Sequence, residues 1–213
     1  MKNNKIQLFF LKKVFLTFDD GPNEPYTSQI LDILKKFNAK ASFFVCGKNA
    51  KYYPEVIKRI VKDGHVIANH TYSHSRFLTY TGLLHNEIDK TKKIIQEISG
   101  KNSDYFRPPW GITAPRVKRY IKIHNYKLVL WDIDSYDWKN ISEEIIVKGV
   151  LEKIKPNFII LFHDGNGIHH NVNRIKTVNA LSIIIENLKR DGYNFEGIDK
   201  LDMEVHKNTI AIH

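Results

Sequence analysis

The sequence is poor in cysteine, with Cys46 alone among its 213 residues. A single thiol cannot form a disulfide within the chain, and nothing resembles the paired-cysteine spacing of a structural zinc site. Low-complexity segments, repeats of fixed period and long apolar runs are also missing, which argues against a fibrous, solenoid or membrane-spanning chain. Cys46 follows an apolar run and is expected to be a buried, unreactive thiol.

Acidic residues are in short supply relative to basic ones, since 33 lysines and arginines against 23 aspartates and glutamates give a formal charge of +10. Such a charge favours encounter with anionic surfaces, including nucleic acid, acidic lipid or an anionic cell wall, without choosing among them. Much of the excess lies along segments of helical period, as in Lys35-Lys36 and Lys90-Lys92-Lys93. A solvated outer face is the simplest interpretation of these clusters.

Short β-rich runs alternate with longer segments of helical period along the chain. The predicted strands cover residues 14–18, 41–46, 65–68, 104–106, 127–131 and 158–162, with a last one near Tyr193. Between them apolar residues recur at helical spacing, as in Ile30, Ile33, Leu34 and Phe37. The alternation predicts an α/β fold, and seven βα units favour a single-domain distorted (β/α)7 barrel, although a doubly wound open sheet would give the same pattern.

The chain has no obvious linker, so one domain is expected over residues 14–200. Residues 1–13 are predicted to be an N-terminal extension or a lead-in to the first strand, and residues 201–213 a C-terminal tail. Lys12 and Lys13 interrupt the apolar run at residues 6–11, and no small-residue cleavage site follows. A signal peptide or membrane anchor is therefore not visible here.

Polar clusters follow five of the predicted strands. They are Asp19-Asp20-Gly21-Pro22, Asn69 to His74, Arg107 to Gly111, Asp134 to Trp138, and His163-Asp164-Gly165. In barrels and open α/β sheets the active site lies where the carboxyl ends of the strands emerge. The five clusters should therefore converge in one cleft, which predicts an enzyme.

Two of these clusters contain side chains that can serve as metal ligands. His70 and His74 are four residues apart, so on one helical turn both imidazoles would face the same way and share one ion. Position 71 is threonine, so the glutamate base of the zinc metalloprotease helix is missing and a base must come from elsewhere. At a strand end that breaks into Gly-Pro, Asp19 and Asp20 can both turn into the cleft, one as a ligand and one free. An Asp-His-His set leaves a coordination position open for water.

The five clusters, in their order and separation, resemble the motifs of polysaccharide deacetylases of the NodB-homology type, carbohydrate esterase family 4. The resemblance spans residues 14–195 and implies a catalytic domain with one divalent metal ion, zinc first and cobalt as an alternative. It also implies an N-acetylated polysaccharide or oligosaccharide as substrate and favours an extracellular or cell-wall location. A nucleic-acid partner and a membrane span are not expected, and the chain is predicted to be a monomer.

The resemblance also implies a role for each motif residue. The expected catalytic residues are the general base Asp19, the base-orienting Arg107, the general acid His163 and its carboxylate partner Asp134. The expected metal ligands are Asp20, His70 and His74. The expected substrate-binding residues are Trp110, which offers a backbone N–H to the oxyanion, Trp138 along the groove and Leu161 at the acetate pocket. The family more often has tyrosine at the position of Trp110, so the cleft wall could differ here.

Alternative functions stay open at this point. The favoured one is N-deacetylation of an N-acetylglucosamine polymer, with peptidoglycan ahead of chitin oligosaccharides. The same constellation could instead remove O-acetyl groups from acetylxylan, or the chain could be a catalytically weak carbohydrate-binding homologue. The presence of both Asp19 and His163 argues against the last. His169 and His170 follow His163 in a loop and could reach the cleft.

Overall fold

The computed structural model describes residues 12–139, 141–201 and 210–211. The strands are β1 Lys12–Asp19, β2 Ala41–Val45, β3 Val66–Asn69, β4 Tyr105–Phe106, β5 Lys127–Val129, β6 Ile133–Asp134, β7 Ile159–His163, β8 Tyr193–Phe195 and β9 Ile210–Ala211. The helices are α1 Tyr26–Lys36, α2 Gly47–Tyr52, α3 Pro54–Lys62, α4 Arg76–Thr81, α5 His85–Ser99, α6 Pro115–Ile123, α7 Glu143–Leu151 and α8 Ile175–Arg190. Most of the predicted N-terminal extension and tail lies outside the described residues.

All of these strands belong to one curled sheet, in the order β6-β7-β1-β2-β3-β4-β5-β9. Neighbours run parallel except for β9, which is antiparallel to β5. Strand β8 pairs with residues 12–14 of β1. All seven predicted strands are present within a few residues of their expected ends, whereas the two-residue strands β6 and β9 were not predicted because they are too short to show a period.

Strand β1 shows how the sequence divides the interior into two layers. Val14, Leu16 and Phe18 belong to the large core between the sheet and the helices. Phe15 belongs instead to a smaller cluster inside the curl of the sheet. Because side chains alternate along a strand, Thr17 and Asp19 share the inner face with Phe15. The alternation therefore carries Asp19 to the inside of the barrel at its carboxyl end.

The inner cluster closes the floor of the barrel. It joins inward side chains of five strands to a 3-10 turn near the C-terminus, and its members are Phe15, Phe44, Ala68, Val129, Ile159, Ile198 and Leu201. An open doubly wound sheet would have helices on both faces, whereas here one face packs on itself. The distorted (β/α)7 barrel is thus confirmed, and its interior is a packed floor with a site above it.

The helices form the outer layer. Helix α8 buries one face against the sheet and packs beside α7, with Leu181, Ile184, Ile185 and Leu188 fully buried. Among the described residues, no helix has the length and apolar character needed to cross a bilayer.

The core assignment predicts a large loss of stability on replacing Phe18 by alanine. The Phe18 side chain is fully buried, and its ring centroid lies 5.1 Å from that of Phe43 and 5.7 Å from that of Phe162. Phe18→Ala should lower the free energy of unfolding by about 3–5 kcal/mol. The matched control Phe77→Ala removes a ring that is 70% exposed and should change it by no more than about 0.5 kcal/mol. Equal losses in urea denaturation would contradict the assigned core.

Candidate active site

The five polar clusters meet in one cleft of about 480 Å³ at the carboxyl edge of the sheet. All but one of the predicted site residues line it, namely Asp19, Asp20, His70, His74, Trp110, Asp134, Trp138, Leu161 and His163. The exception, Arg107, lies beneath the cleft and is fully buried. The cleft is also lined by residues that were not predicted, among them Arg76, Trp131, Asn166 and Arg174.

Arg107 holds Asp19 from below. Its Nη1 donates to Asp19 Oδ1 at 2.7 Å and to Thr17 Oγ1 at 3.0 Å. Its Nε and Nη2 donate to the carbonyl oxygens of Val129 and Leu130 at 3.0 and 2.8 Å. The guanidinium is thus satisfied in a buried position, and it fixes the Asp19 carboxylate at the end of β1.

Asp20 also faces the cleft, although it follows Asp19 directly. Its φ of 76° lies in the left-handed region and breaks the alternation of the strand. Asp20 Oδ1 lies 3.5 Å from His70 Nε2 and 3.2 Å from His74 Nε2. This buried oxygen has no hydrogen-bond partner among the described residues. The ligand atoms of the three side chains lie within 4.8 Å of one another, an arrangement that fits a divalent cation.

The pKa values of Asp20 and His74 also suit metal ligands, whereas the charges of Asp19 and Asp20 outweigh burial and raise the pKa of His70. Burial opposes the charged form of Asp20, but the close contact with His70 and the charges of His74 and His70 outweigh it and lower the pKa of Asp20. Burial lowers the pKa of His74 to about 4, so the ring is neutral near pH 7, as a metal ligand must be. His70 Nδ1 lies 2.7 Å from the carbonyl oxygen of Arg107. A proton on Nδ1 would donate there and leave Nε2 free for the ion.

The two histidines do not lie on a helical turn, contrary to the prediction. They lie in the loop between β3 and α4, with their ring centroids 5.1 Å apart. Thr71 and His74 have φ values of 69° and 48°, and Asn69 Oδ1 accepts the Thr71 N–H at 2.9 Å. The loop, and not helical periodicity, makes both rings face Asp20.

The predicted pairing of Asp134 with His163 is wrong. Asp137 is the partner, since its Oδ1 lies 2.8 Å from His163 Nδ1 and its Oδ2 accepts the backbone N–H of His163 at 2.8 Å. Thr177 Oγ1 also donates to Asp137 Oδ2, at 2.9 Å. Asp134 lies opposite Leu161 in the register of β6 and β7, short of His163. The chain then turns at Tyr136, whose φ is 56°, and brings Asp137 back to the imidazole.

The contact with Asp137 determines the charge of His163. Burial opposes the imidazolium, but the charge and hydrogen bond of Asp137 outweigh it and raise the pKa of His163 to about 9. His163 is therefore protonated near neutral pH. With Nδ1 engaged by Asp137, Nε2 is the nitrogen left to act in the cleft.

Aromatic side chains form the walls of the cleft. Trp110 and Trp138 are each 50% exposed, and the Trp110 ring packs on His74 with centroids 4.4 Å apart. Leu161 is buried in the cleft floor. His169 reaches the cleft lining, whereas the His170 ring stacks on Tyr52 at 4.2 Å.

The sequence profile of polysaccharide deacetylases matches residues 11–129. The chain belongs to this family. It is 39% identical over 184 residues to a peptidoglycan-N-acetylglucosamine deacetylase of Bacillus cereus, a match that covers 86% of this chain and 66% of that protein. It is also 36% identical over 203 residues to the peptidoglycan-N-acetylmuramic acid deacetylase PdaC of Bacillus subtilis, covering 94% of this chain and 40% of PdaC.

Solved structures of the family share the fold of this chain. A structure of PdaC from Bacillus subtilis superposes with a TM-score of 0.81 at 34% identity, covering 93% of each chain. A carbohydrate esterase family 4 pseudoenzyme from Bacillus anthracis superposes with a TM-score of 0.79 at 29% identity, covering 89% of this chain and 65% of that one.

Asp137, Arg174 and Asp164 lie around the cleft, but no role was predicted for them from the sequence. Asp137 stands next to Trp138 in a recognised motif that contains two aspartates, so the sequence offered it as a second candidate partner for His163. Buried Arg174 donates twice to the carbonyl oxygen of Gly165, at 2.8 and 2.5 Å. Burial raises the pKa of Asp164 to about 7. Asp164 stands beside His163 in a recognised cluster, whereas Arg174 has no local sequence signal because its environment comes from long-range packing.

The corrected pairing predicts which aspartate controls the basic limb of the pH–rate profile. Asp137→Asn removes the charge that raises the pKa of His163, so the histidine should lose its proton at lower pH and the limb should move down by about 1–2 units. Asp134→Asn is the matched control and should leave the limb in place. Histidine NMR titration of the same variants gives a readout independent of turnover. If Asp134→Asn moved the basic limb and Asp137→Asn did not, the predicted pairing of Asp134 with His163 would be right after all.

Proposed function

We propose that this chain is a metal-dependent deacetylase that removes N-acetyl groups from N-acetylglucosamine-containing polysaccharide, with peptidoglycan as its polymer. The observation that carries the proposal is the meeting of three elements in one cleft: the Arg107-held Asp19, the Asp20-His70-His74 triad and the Asp137-held His163. Asp19 and His163 are register partners on β1 and β7. All of these residues come from one chain, which supports action as a monomer.

Zinc is the metal that we propose for the triad, because two imidazoles and one carboxylate suit it, and cobalt is the alternative. When bound, such an ion supplies a Lewis acid for the acetyl carbonyl and lowers the pKa of water. Asp19 is adjacent to the ligand Asp20 but is held by Arg107. Its second oxygen, Oδ2, lies 3.7 Å from His70 Nε2, so it borders the triad while remaining free to take a proton.

The proposed reaction uses the base and the acid on opposite sides of the scissile amide. Asp19 accepts a proton from the attacking water as the water oxygen bonds to the acetyl carbon. We assign the backbone N–H of Trp110 to the oxygen that becomes negative. As the C–N bond breaks, His163 donates its proton to the leaving amine. The raised pKa of His163 keeps the imidazole protonated for this step. Leu161 and Trp138 line the space for the acetyl group and the sugar.

Peptidoglycan is favoured as the polymer because the relatives are named for it, with N-acetylglucosamine in one name and N-acetylmuramic acid in another. The net charge of +10 also suits an anionic cell wall, which supports an extracellular or wall-associated location.

The substrate experiment compares acetate release from peptidoglycan, chitin oligomers and acetylxylan after chelation and restoration with zinc or cobalt. Peptidoglycan should be the best substrate; release from acetylxylan alone would support the O-deacetylase, and release from none would support a carbohydrate-binding homologue.

The division of labour between the adjacent aspartates makes a separate prediction. Asp19→Asn should lower turnover by at least about 10²–10⁴-fold yet retain one metal ion per chain, because the ligand is its neighbour. Asp20→Asn should lose the metal as well as the activity. Metal content after gel filtration, measured beside acetate release, checks both. If Asp19→Asn lost the metal while Asp20→Asn kept it, the assignment of base and ligand would be reversed.

Chelation provides a test of the kind of metal site. The triad lies above a floor that is already packed by the inner cluster, so removing the ion should abolish activity and leave cooperative unfolding intact. Activity should return on adding zinc or cobalt. Loss of a cooperative thermal transition in the chelated protein would show that the ion is structural.

A further inference from the structure

The wall of the cleft after β6 carries exposed aromatic rings. Tyr136 and Trp138 are 41% and 50% exposed, with ring centroids 6.3 Å apart. Trp138 lines the cleft, and Tyr136 lies beside it outside the cleft lining. Together they extend the aromatic surface beyond the lining of the cleft.

The position of Tyr136 is enforced by the structure. Its φ of 56° is a left-handed conformation that is unfavourable for an aromatic residue. The Asp134 carboxylate stabilises this turn, because Oδ1 accepts the Tyr136 N–H at 2.8 Å and Oδ2 accepts the Trp138 Nε1–H at 3.4 Å. The turn at Tyr136 brings Asp137 back to His163. It also presents the Tyr136 ring to solvent at the cleft wall, where the ring is open to contact with another molecule.

Positive charge surrounds these rings. Lys139 Nζ lies 4.3 Å from the ring centroid of Tyr136 and 5.1 Å from that of Trp138, and Lys153 Nζ lies 5.7 Å from that of Tyr136. Within the part of the chain that the structure describes, neither ammonium group forms a salt bridge. The negative group on this wall, Asp134, has both oxygens engaged by N–H donors.

We propose that Tyr136, Trp138, Lys139 and Lys153, the aromatic platform, bind a second sugar ring of the polymer that carries a carboxylate. The inference rests on the proposed function, since it takes a polymer as the substrate of the cleft. The apolar face of a pyranose ring packs on an aromatic ring, and the two ammonium groups pair with the carboxylate. Peptidoglycan strands freed of their stem peptides supply such a ring beside each N-acetylglucosamine, because the lactyl group of N-acetylmuramic acid then ends in a carboxylate, whereas chitin is neutral. Asp134 is the positioning residue of the platform.

The first test is removal of the ring that lies outside the cleft. Tyr136→Ala should raise KM for soluble peptidoglycan oligosaccharides by about tenfold, with less than about a twofold change in kcat. Tyr136→Phe keeps the ring and should restore KM. Tyr80→Ala removes a tyrosine that is 60% exposed and lies outside the cleft lining, and it should leave KM unchanged. A KM for Tyr136→Ala equal to that of Tyr80→Ala would overturn the platform.

The second test separates charge from stacking. The double variant Lys139→Gln/Lys153→Gln should raise KM for peptide-free peptidoglycan oligosaccharides about fivefold and leave KM for chitin oligomers of equal length unchanged. The control Lys58→Gln/Lys93→Gln removes two lysines of α3 and α5 that are 54% and 78% exposed and should affect neither substrate. Equal effects on both substrates, or on neither, would overturn the assignment of a carboxylate-bearing ring.

The role of Asp134 has its own signature. Asp134→Ala should raise KM by the same factor as Tyr136→Ala and should not move the basic limb of the pH profile. Asp134→Asn should restore KM, because the side-chain oxygen of asparagine still accepts the Tyr136 N–H. Calorimetric titration of Asp19→Asn with the same oligosaccharides should show the same loss of affinity without turnover. Wild-type protein that released no acetate from any polymer would refute the proposed function; active protein with unchanged KM in these variants would refute the platform alone.

Discussion

Arg107 is the residue on which the site depends. Its side chain connects β1, through Thr17 and Asp19, to two carbonyl oxygens at the end of β5, while its own carbonyl oxygen lies against Nδ1 of His70. The base and a metal ligand are thus oriented by one residue. An unpaired guanidinium at this depth would cost several kcal/mol. The ion pair with Asp19 and the ring of Phe44, 4.0 Å from the guanidinium, offset that cost.

Strained backbone is concentrated around the cleft. Among the described residues, the non-glycine positions with positive φ away from the cleft are all asparagine, namely Asn38, Asn125, Asn157 and Asn171. Asparagine tolerates this conformation well. Those at the cleft are Asp20, Thr71, His74, Trp110 and Tyr136. Each of these conformations positions a metal ligand or an aromatic ring of the cleft wall where regular secondary structure would not. The strain energy is about 1–3 kcal/mol for each residue, and the packing of the barrel below offsets it.

The parts of this protein that could be predicted from sequence follow from periodicity. Alternation along β1 places Asp19 inside the barrel, and the shared edge of parallel strands brings the five polar clusters together. What could not be predicted depends on turns. The partner of His163 is Asp137 because the chain reverses at Tyr136. The four-residue spacing of His70 and His74 predicts a helical turn, but these residues lie in a loop. Arg174 acts through backbone carbonyl groups, which leave no pattern in the sequence.

We propose that Asp20, His70 and His74 hold one metal ion at the bottom of this cleft, beside a general base, Asp19, that does not bind it. The most direct measurement is anomalous diffraction at the zinc edge from crystals of the zinc-loaded protein. The account predicts one strong peak about 2.0–2.2 Å from Asp20 Oδ1, His70 Nε2 and His74 Nε2, with Asp19 in its ion pair with Arg107. A peak bound by Asp19 in place of Asp20, or one outside the cleft with the triad empty, would contradict it.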